Sequence, residues 1–322
     1  KGTGPGVILL IFITFGLLWI SAFLDPRLPG LYVFETRPMP LYSVIKFLIG
    51  SHPLAGVMFS AGILSVMLVL LVNFNTSVFF INERTFLPAV FYVLFCAIFP
   101  GNQVLNPVLP ASLFLMLAVR RIMDSYRKQG TAFNFFDAAV FISIGSLFYA
   151  NIIWFGILVF IGIALLRSVN ITEIASSILG LATPYILLFG FYFVLGRDLD
   201  ILIQDIRRNF FVDSPTYTFT RLTIVALIYS ALMILVSIVY LMQRIDSKKI
   251  KSRKTFYILL WGFVLSLAVY LILPSVSVEQ VWVTAIPVSY LLTHYFVFVR
   301  RKIVPEIMFT VFYLLVLLVQ VL

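Results

Sequence analysis

A polytopic bundle of transmembrane α-helices is the fold class this sequence predicts, and three observations carry the prediction. Of its 322 residues, 62% are hydrophobic and only 11% charged, whereas soluble domains run at roughly 45–50% apolar and about 25% charged. The apolar residues gather into about eleven runs bounded by charge, proline or glycine. Thirty-three Phe and 15 Tyr suit helices packed in lipid better than the alternating strands of a barrel. Burying so much apolar surface in water is out of reach, which excludes a soluble enzyme. No polar stretch is long enough for a second domain, so residues 1–322 read as one transmembrane domain.

The runs are 7–24, 54–72, 85–99, 108–119, 138–150, 152–166, 174–195, 222–242, 256–273, 281–299 and 303–322. A crossing takes about 20 apolar residues. The first run is followed by Asp25-Pro26-Arg27-Leu28-Pro29, which lacks a small-residue cleavage pattern, so it is expected as a retained helix and not a signal peptide. The fourth and fifth runs are short for a core of about 30 Å, as a helix partly buried in protein or tilted would be. Asn170-Ile171-Thr172-Glu173 is a helix start with Asn170 or Thr172 as its cap. Pro88, Pro110, Pro184 and Pro287 fall within runs and are expected to kink them.

The net charge of +10 is explained by topology. With a cytoplasmic amino terminus, sixteen of the 23 Lys and Arg fall on inside loops, including the clusters at 120–128, 244–254 and 300–302. The seven outside are Arg27, Arg37, Lys46, Arg197, Arg207, Arg208 and Arg221. That bias in short loops is the positive-inside pattern, so the basic balance is mostly a label of topology. Nucleic acid is not an expected partner. Membrane lipid is, and the cluster 120–128 would lie beside anionic headgroups.

Two extracytoplasmic segments stand out. In 25–53, five prolines cut the chain into short pieces, and between Pro40 and Gly50 the residues Leu41, Val44, Ile45, Leu48 and Ile49 share one helical face. In 196–221, Leu199, Leu202, Ile203, Ile206, Phe210 and Phe211 form an apolar stripe, with Asp198, Asp205, Arg207 and Arg208 largely off it. Each spacing predicts a short helix lying on the membrane surface. The plain reading is two solvated loops with lipid-seated helices. The sharper one is that they roof an outward cleft offering Asp25, Glu35, Asp198, Asp200 and Asp205 beside Arg27, Arg207 and Arg208. Guanidinium forks suit a lipid phosphate, and a carboxylate can take the proton of an acceptor hydroxyl.

Elsewhere the chemistry is sparse. Cys96 stands alone inside an apolar run, so disulfides and thiolate clusters are excluded. With two histidines far apart, no metal site is expected. There is no phosphate-binding Gly-rich loop, HExxH or Gly-x-Ser-x-Gly elbow, and no cofactor is expected. His294 is the main titratable group inside a run and so a candidate intramembrane polar site, although a lone one ordinarily bonds to a neighbouring helix. No Asp or Glu lies well inside a run, which argues against an ion-coupled transporter. The triplet Asn75-Thr76-Ser77 sits at an inside loop, where glycosylation has no meaning.

Two resemblances add to this. Val72-Asn73-Phe74-Asn75-Thr76, Asn82-Glu83-Arg84-Thr85-Phe86-Leu87-Pro88-Ala89, Arg120-Arg121-Ile122-Met123, Phe135-Phe136-Asp137-Ala138 and Gly145-Ser146-Leu147-Phe148-Tyr149 resemble an uncharacterised multi-pass membrane protein family of Bacteroidota, which implies an inner-membrane location. The stretch 100–160 is similar in architecture to the GT-C superfamily of glycosyltransferases that use polyprenyl-phosphate sugars. It runs through Asn106-Pro107, the hydrophobic 113–119, the basic 120–128 and Ile144-Gly145-Ser146-Leu147-Phe148-Tyr149-Ala150-Asn151. That likeness implies a catalytic acid in the first outer loop, where Asp25 and Glu35 stand. It departs at Gly101-Asn102-Gln103, which carries no carboxylate, and at Tyr149-Ala150-Asn151, which carries no base.

Two functional readings follow. In the first, a GT-C-like transferase handles a polyprenyl-phosphate-linked sugar at the outer face, with Asp25 or Glu35 as the base and Arg27, Arg207 and Arg208 on the phosphate. In the second, the chain is a non-catalytic membrane subunit of an envelope complex for secretion, glycan or lipid handling, with other envelope proteins as partners. A transporter is the third, opposed by the missing mid-membrane acids.

Overall fold

The structure is a computed structural model, and it describes residues 5–27, 37–78, 80–81, 83–127, 130, 132–166, 170–211, 217, 219–301 and 303–321. Among the described residues thirteen α-helices follow one another: α1 (Pro5–Leu24), α2 (Pro40–Ile49), α3 (Pro53–Val78), α4 (Leu87–Cys96), α5 (Val108–Asp124), α6 (Ala132–Ser146), α7 (Gly156–Leu166), α8 (Ile171–Val194), α9 (Leu199–Phe211), α10 (Arg221–Met242), α11 (Ile250–Ile272), α12 (Val281–Phe298) and α13 (Ile303–Val321). The 3₁₀ turns Pro100–Asn102, Ala150–Phe155 and Val278–Gln280 lie between them. No strand occurs among the described residues.

A helix stands at each of the eleven expected runs, but the lengths differ from even crossings. Among the described residues six segments are long and apolar enough to span a membrane: Pro53–Val78, Ile171–Val194, Arg221–Met242, Ile250–Ile272, Val278–Phe298 and Ile303–Val321. α1 has 20 residues, and the remaining helices are shorter. The 10 residues of α4 rise only about 15 Å, half the thickness of a bilayer core. Its residues 88–96 are all buried, so it is apolar all round because it lies inside the bundle.

The turn between α4 and α5 is buried too, and its backbone must find partners within the protein. Asn106 supplies three of them, and the amide side chains of Gln103 and Asn102 tie the turn to neighbouring segments. Asn106 donates to the carbonyls of Asn102 and Val104 (3.1 Å each) and accepts from the Leu109 amide at 2.9 Å. Gln103 donates to the Leu18 carbonyl, and Asn102 to that of Val278. Two of the four prolines expected to kink do not. Pro88 and Pro110 occupy the first turns of α4 and α5, where the missing N–H costs nothing. Pro184 and Pro287 lie inside α8 and α12.

Hydrogen bonds between remote segments sort the bundle into two ends. At one end Tyr42 reaches the Leu105 carbonyl, the Leu41 amide reaches Leu147, Tyr149 reaches Glu279 and Asn151 reaches Ser275. At the other, Asn75 donates to the Glu83 carbonyl, Lys254 to that of Leu166 and Tyr240 to that of Phe298. The described members of the three cation-rich loops, from Arg120 to Arg127, Arg244 to Lys254 and Arg300 to Arg301, all lie at this second, basic end. Chain order therefore alternates between the ends, as the positive-inside pattern requires.

Candidate functional site

A cleft of about 620 Å³ opens at the end away from the basic loops, between the C-terminal ends of α1 and α13, the turn 100–104 and the start of α10. Asp25, Arg27, Gln103, Thr220, Arg221 and Gln320 are among its lining residues. Asp25 and Arg27 follow directly on α1, and Arg27 donates to Asp25 Oδ2 from Nη2 at 2.8 Å and Nε at 3.0 Å. Both side chains are about two-thirds exposed, so the pair is worth little to stability. It leaves the carboxylate occupied by its own neighbour. Arg221 begins α10, whose first turn is capped by Thr220 accepting from the Thr223 amide. Its guanidinium has no partner among the described residues, and it adds its charge to the positive end of the helix dipole. Gln103 and Gln320, bonded to one another at 3.4 Å, supply a polar flank, with Gln320 also donating to the Ala97 carbonyl.

The structure brings the two outer segments together at Arg37, through Asn209, which was not expected, and through Asp205, which was. Asn209 grips the backbone of Arg37 from both sides, accepting from its amide at 3.1 Å and donating to its carbonyl at 2.8 Å. Asp205 adds an ion pair to Arg37 at 3.8 Å. Each segment contains the short helix its spacing predicts, α2 and α9. Tyr42 docks α2 through its hydroxyl, leaving Val44, Phe47 and Leu48 exposed. α9 is seated by Leu202 and by Phe210 packing edge-on to Trp154. Asp198 caps it, accepting from the Asp200 amide at 2.8 Å.

Of the expected site residues, then, Asp25 and Arg27 line the cleft together. Arg207 and Arg208 do not line it; they are exposed on α9. The expectation for Glu35 lies outside the described residues. In the sequence Arg221, beside an apolar run, reads as an ordinary boundary charge.

A second polar layer lies within the protein at the same end. The sequence sets Glu279 apart as the outer acid that belongs to neither long segment, and it is 2% exposed. Its Oε1 accepts from Tyr149 at 3.1 Å and from the Ser277 amide at 2.9 Å. Around it, Asn151 donates to Ser275, and Gln280 to Ser266. The side-chain oxygens of Asn102, Asn151 and Gln280 have no protein partner. Glu279 is the second residue of the span Val278–Phe298, so it is buried at the end of a span and not well inside one.

His294 is fully buried, and neither ring nitrogen finds a protein partner. The expected hydrogen bond to a neighbouring helix is replaced by an aromatic box. Phe256 and Phe298 lie 5.0 Å from its ring and Tyr240 5.9 Å. Lys248 covers Phe298 at 4.6 Å, and its burial, with Arg244 nearby, holds its amine below the ordinary lysine range. Among the described residues no group of three metal-binding side chains occurs.

No curated protein and no solved structure matches the chain in comparisons with known proteins. A family of unknown function, DUF6427, matches residues 39–321. That stretch holds every helix except α1, so the chain belongs to the DUF6427 family.

Proposed function

We propose that this protein binds a lipid phosphate at the end opposite its basic loops, with Arg27 and Arg221 on the phosphate. The observation that carries the reading is the cleft itself. It sets an unpartnered guanidinium, a helix N-terminus and an exposed Arg–Asp pair around about 620 Å³ at the end of an apolar bundle. Phosphate is the anion that such a fork-and-dipole arrangement fits. It would also compete with Asp25 for Arg27. That exchange frees a carboxylate next to the bound phosphate.

The finer form of the reading is a transferase of GT-C type, acting on a polyprenyl-phosphate-linked sugar at the outer face of a bacterial inner membrane. Asp25, released by the phosphate, would then accept the proton of the attacking hydroxyl. Arg207 and Arg208 have no part in this version. A non-catalytic envelope subunit is the second reading, favoured by the exposed apolar faces of α2 and α8, among them Phe47, Leu48, Ile186, Leu187 and Phe191.

Lipid extraction and mass spectrometry of the purified protein, with titration of the phosphate lipid it carries, tests the first reading. Each charge-assisted contact contributes about 1.5–3 kcal/mol. Arg27→Ala with Arg221→Ala is therefore expected to weaken binding at least tenfold, and Arg207→Ala with Arg208→Ala to leave it unchanged. Undiminished binding in the first double variant would overturn the proposal. Asp25→Asn separates the finer forms: the transferase requires lost surface glycosylation with lipid binding intact, whereas a subunit keeps both.

A further inference from the structure

α10 and α11 each pack on α12, yet they scarcely meet one another. Both are long and apolar enough to cross a membrane. The gap they leave is a groove of about 690 Å³, floored by Phe95, Ile98 and Val281 and flanked by Phe263 on α11. Along α10 it extends from Leu227 to Val239, thirteen residues that rise about 18 Å, more than half of a bilayer's hydrocarbon core. Leu235, Val239, Leu267 and Tyr270 line it and are all at least 40% exposed, so its mouth faces the lipid phase.

The groove has a direction. Its main polar groups, Ser277, Gln280 and Thr284, gather at the cleft end. The hydroxyl of Ser230, further down, is turned onto the Leu227 carbonyl of its own helix. Gln280 is 2% exposed, donates to Ser266, and has a side-chain oxygen with no protein partner. A wall of three rings stands between groove and cleft: Tyr217 lines the cleft, Phe99 and Phe219 line the groove, and their centroids are 5.1–6.4 Å apart.

We infer that this groove seats one long hydrocarbon chain of the lipid whose phosphate lies in the cleft. The inference rests on the cleft reading for the head and on the groove's own shape for the chain. An apolar trough that opens sideways to lipid and becomes polar only at the cleft end matches a single amphiphile with its head at that end. The ring wall marks where headgroup gives way to chain.

Photo-crosslinking in nanodiscs tests this, using phosphatidic acid with a diazirine at the end of one acyl chain. Labelling is expected to concentrate at Leu235, Phe263 and Leu267, at least fivefold above the lipid-exposed face of α8. Ala231 lines the groove mouth, and Ala231→Trp should fill it and abolish that excess. Leu232→Trp, one position along on an exposed face, should preserve it and shows that a tryptophan on α10 is tolerated. Uniform labelling of all exposed helices, or an excess that survives Ala231→Trp, overturns the groove. A diacylglycerol probe with the same diazirine separates the two readings. In Arg27→Ala with Arg221→Ala, groove labelling should fall for phosphatidic acid and persist for diacylglycerol. Equal labelling by both probes overturns the shared-lipid assignment and the cleft reading, with the groove's affinity for hydrocarbon intact.

Discussion

Single side chains hold the two outer segments and the inner polar layer in place. Asn209 reaches across 172 positions to both backbone groups of Arg37, and no periodicity in either segment points to the other. The apolar stripe of α9 was readable because it repeats every three or four residues. The asparagine that clasps Arg37 was not, because one polar residue off a stripe looks solvated. Asn209→Ala is expected to cost about 1–3 kcal/mol for two contacts, measured by reversible unfolding in mixed micelles. Glu279 was hidden for a related reason: a lone acid in a short outer loop has the composition of a surface residue. Its burial makes Tyr149 its positioning partner. Tyr149→Phe should cost about 1–3 kcal/mol, and a double-mutant cycle with Glu279→Gln should return a coupling of about 1 kcal/mol or more. Zero coupling would show that the bond does not form in the membrane. By contrast, the cap of α8 was legible from Asn170-Ile171-Thr172-Glu173, and Asn170 does accept from the Thr172 amide at 3.1 Å.

At the level of helices, patterning revealed position better than depth. The runs fell where helices stand, because charge and proline bound an apolar helix in sequence as they do in space. Whether a helix faces lipid or protein is less readable: α4 and α8 are both apolar, yet α4 is encased and α8 mostly exposed. The asymmetry shows at glycines. A Cβ on Gly180 of α8 would stand 2.6 Å from the Phe136 carbonyl and 2.8 Å from the Ala139 Cβ of α6. Gly190 of the same helix meets nothing within 4 Å. Gly180→Ala should force α6 and α8 apart and cost about 1–3 kcal/mol. Gly190→Ala should be neutral or stabilising by up to about 1 kcal/mol, in the same unfolding assay. Asn75 teaches the same lesson. Its triplet resembles a modification site, but its side chain is buried and closes the turn to α4 by donating to Glu83 and accepting from Ile81.

For the molecule as a whole, charge placement gave the two ends, and the hydrogen bonds between distant loops divide along the same line. Cysteine labelling checks the orientation directly. Cys96 is buried, so it contributes no background. Ser247→Cys should react with a membrane-impermeant maleimide from one face of sealed vesicles, and Asp200→Cys only from the opposite face. Modification of both from one face would break the alternation. The encased α4 has a further consequence, in the timing of assembly. Tyr92 donates to the Trp282 carbonyl at 3.0 Å, 190 positions later in the chain. At about 5–20 residues synthesised per second, α4 waits roughly 10–40 s for α12. Too short to cross a bilayer alone, it spends that interval without its final shelter. A chain interrupted before α12 therefore offers quality-control proteases an orphaned helix, and full-length synthesis is what makes the bundle durable.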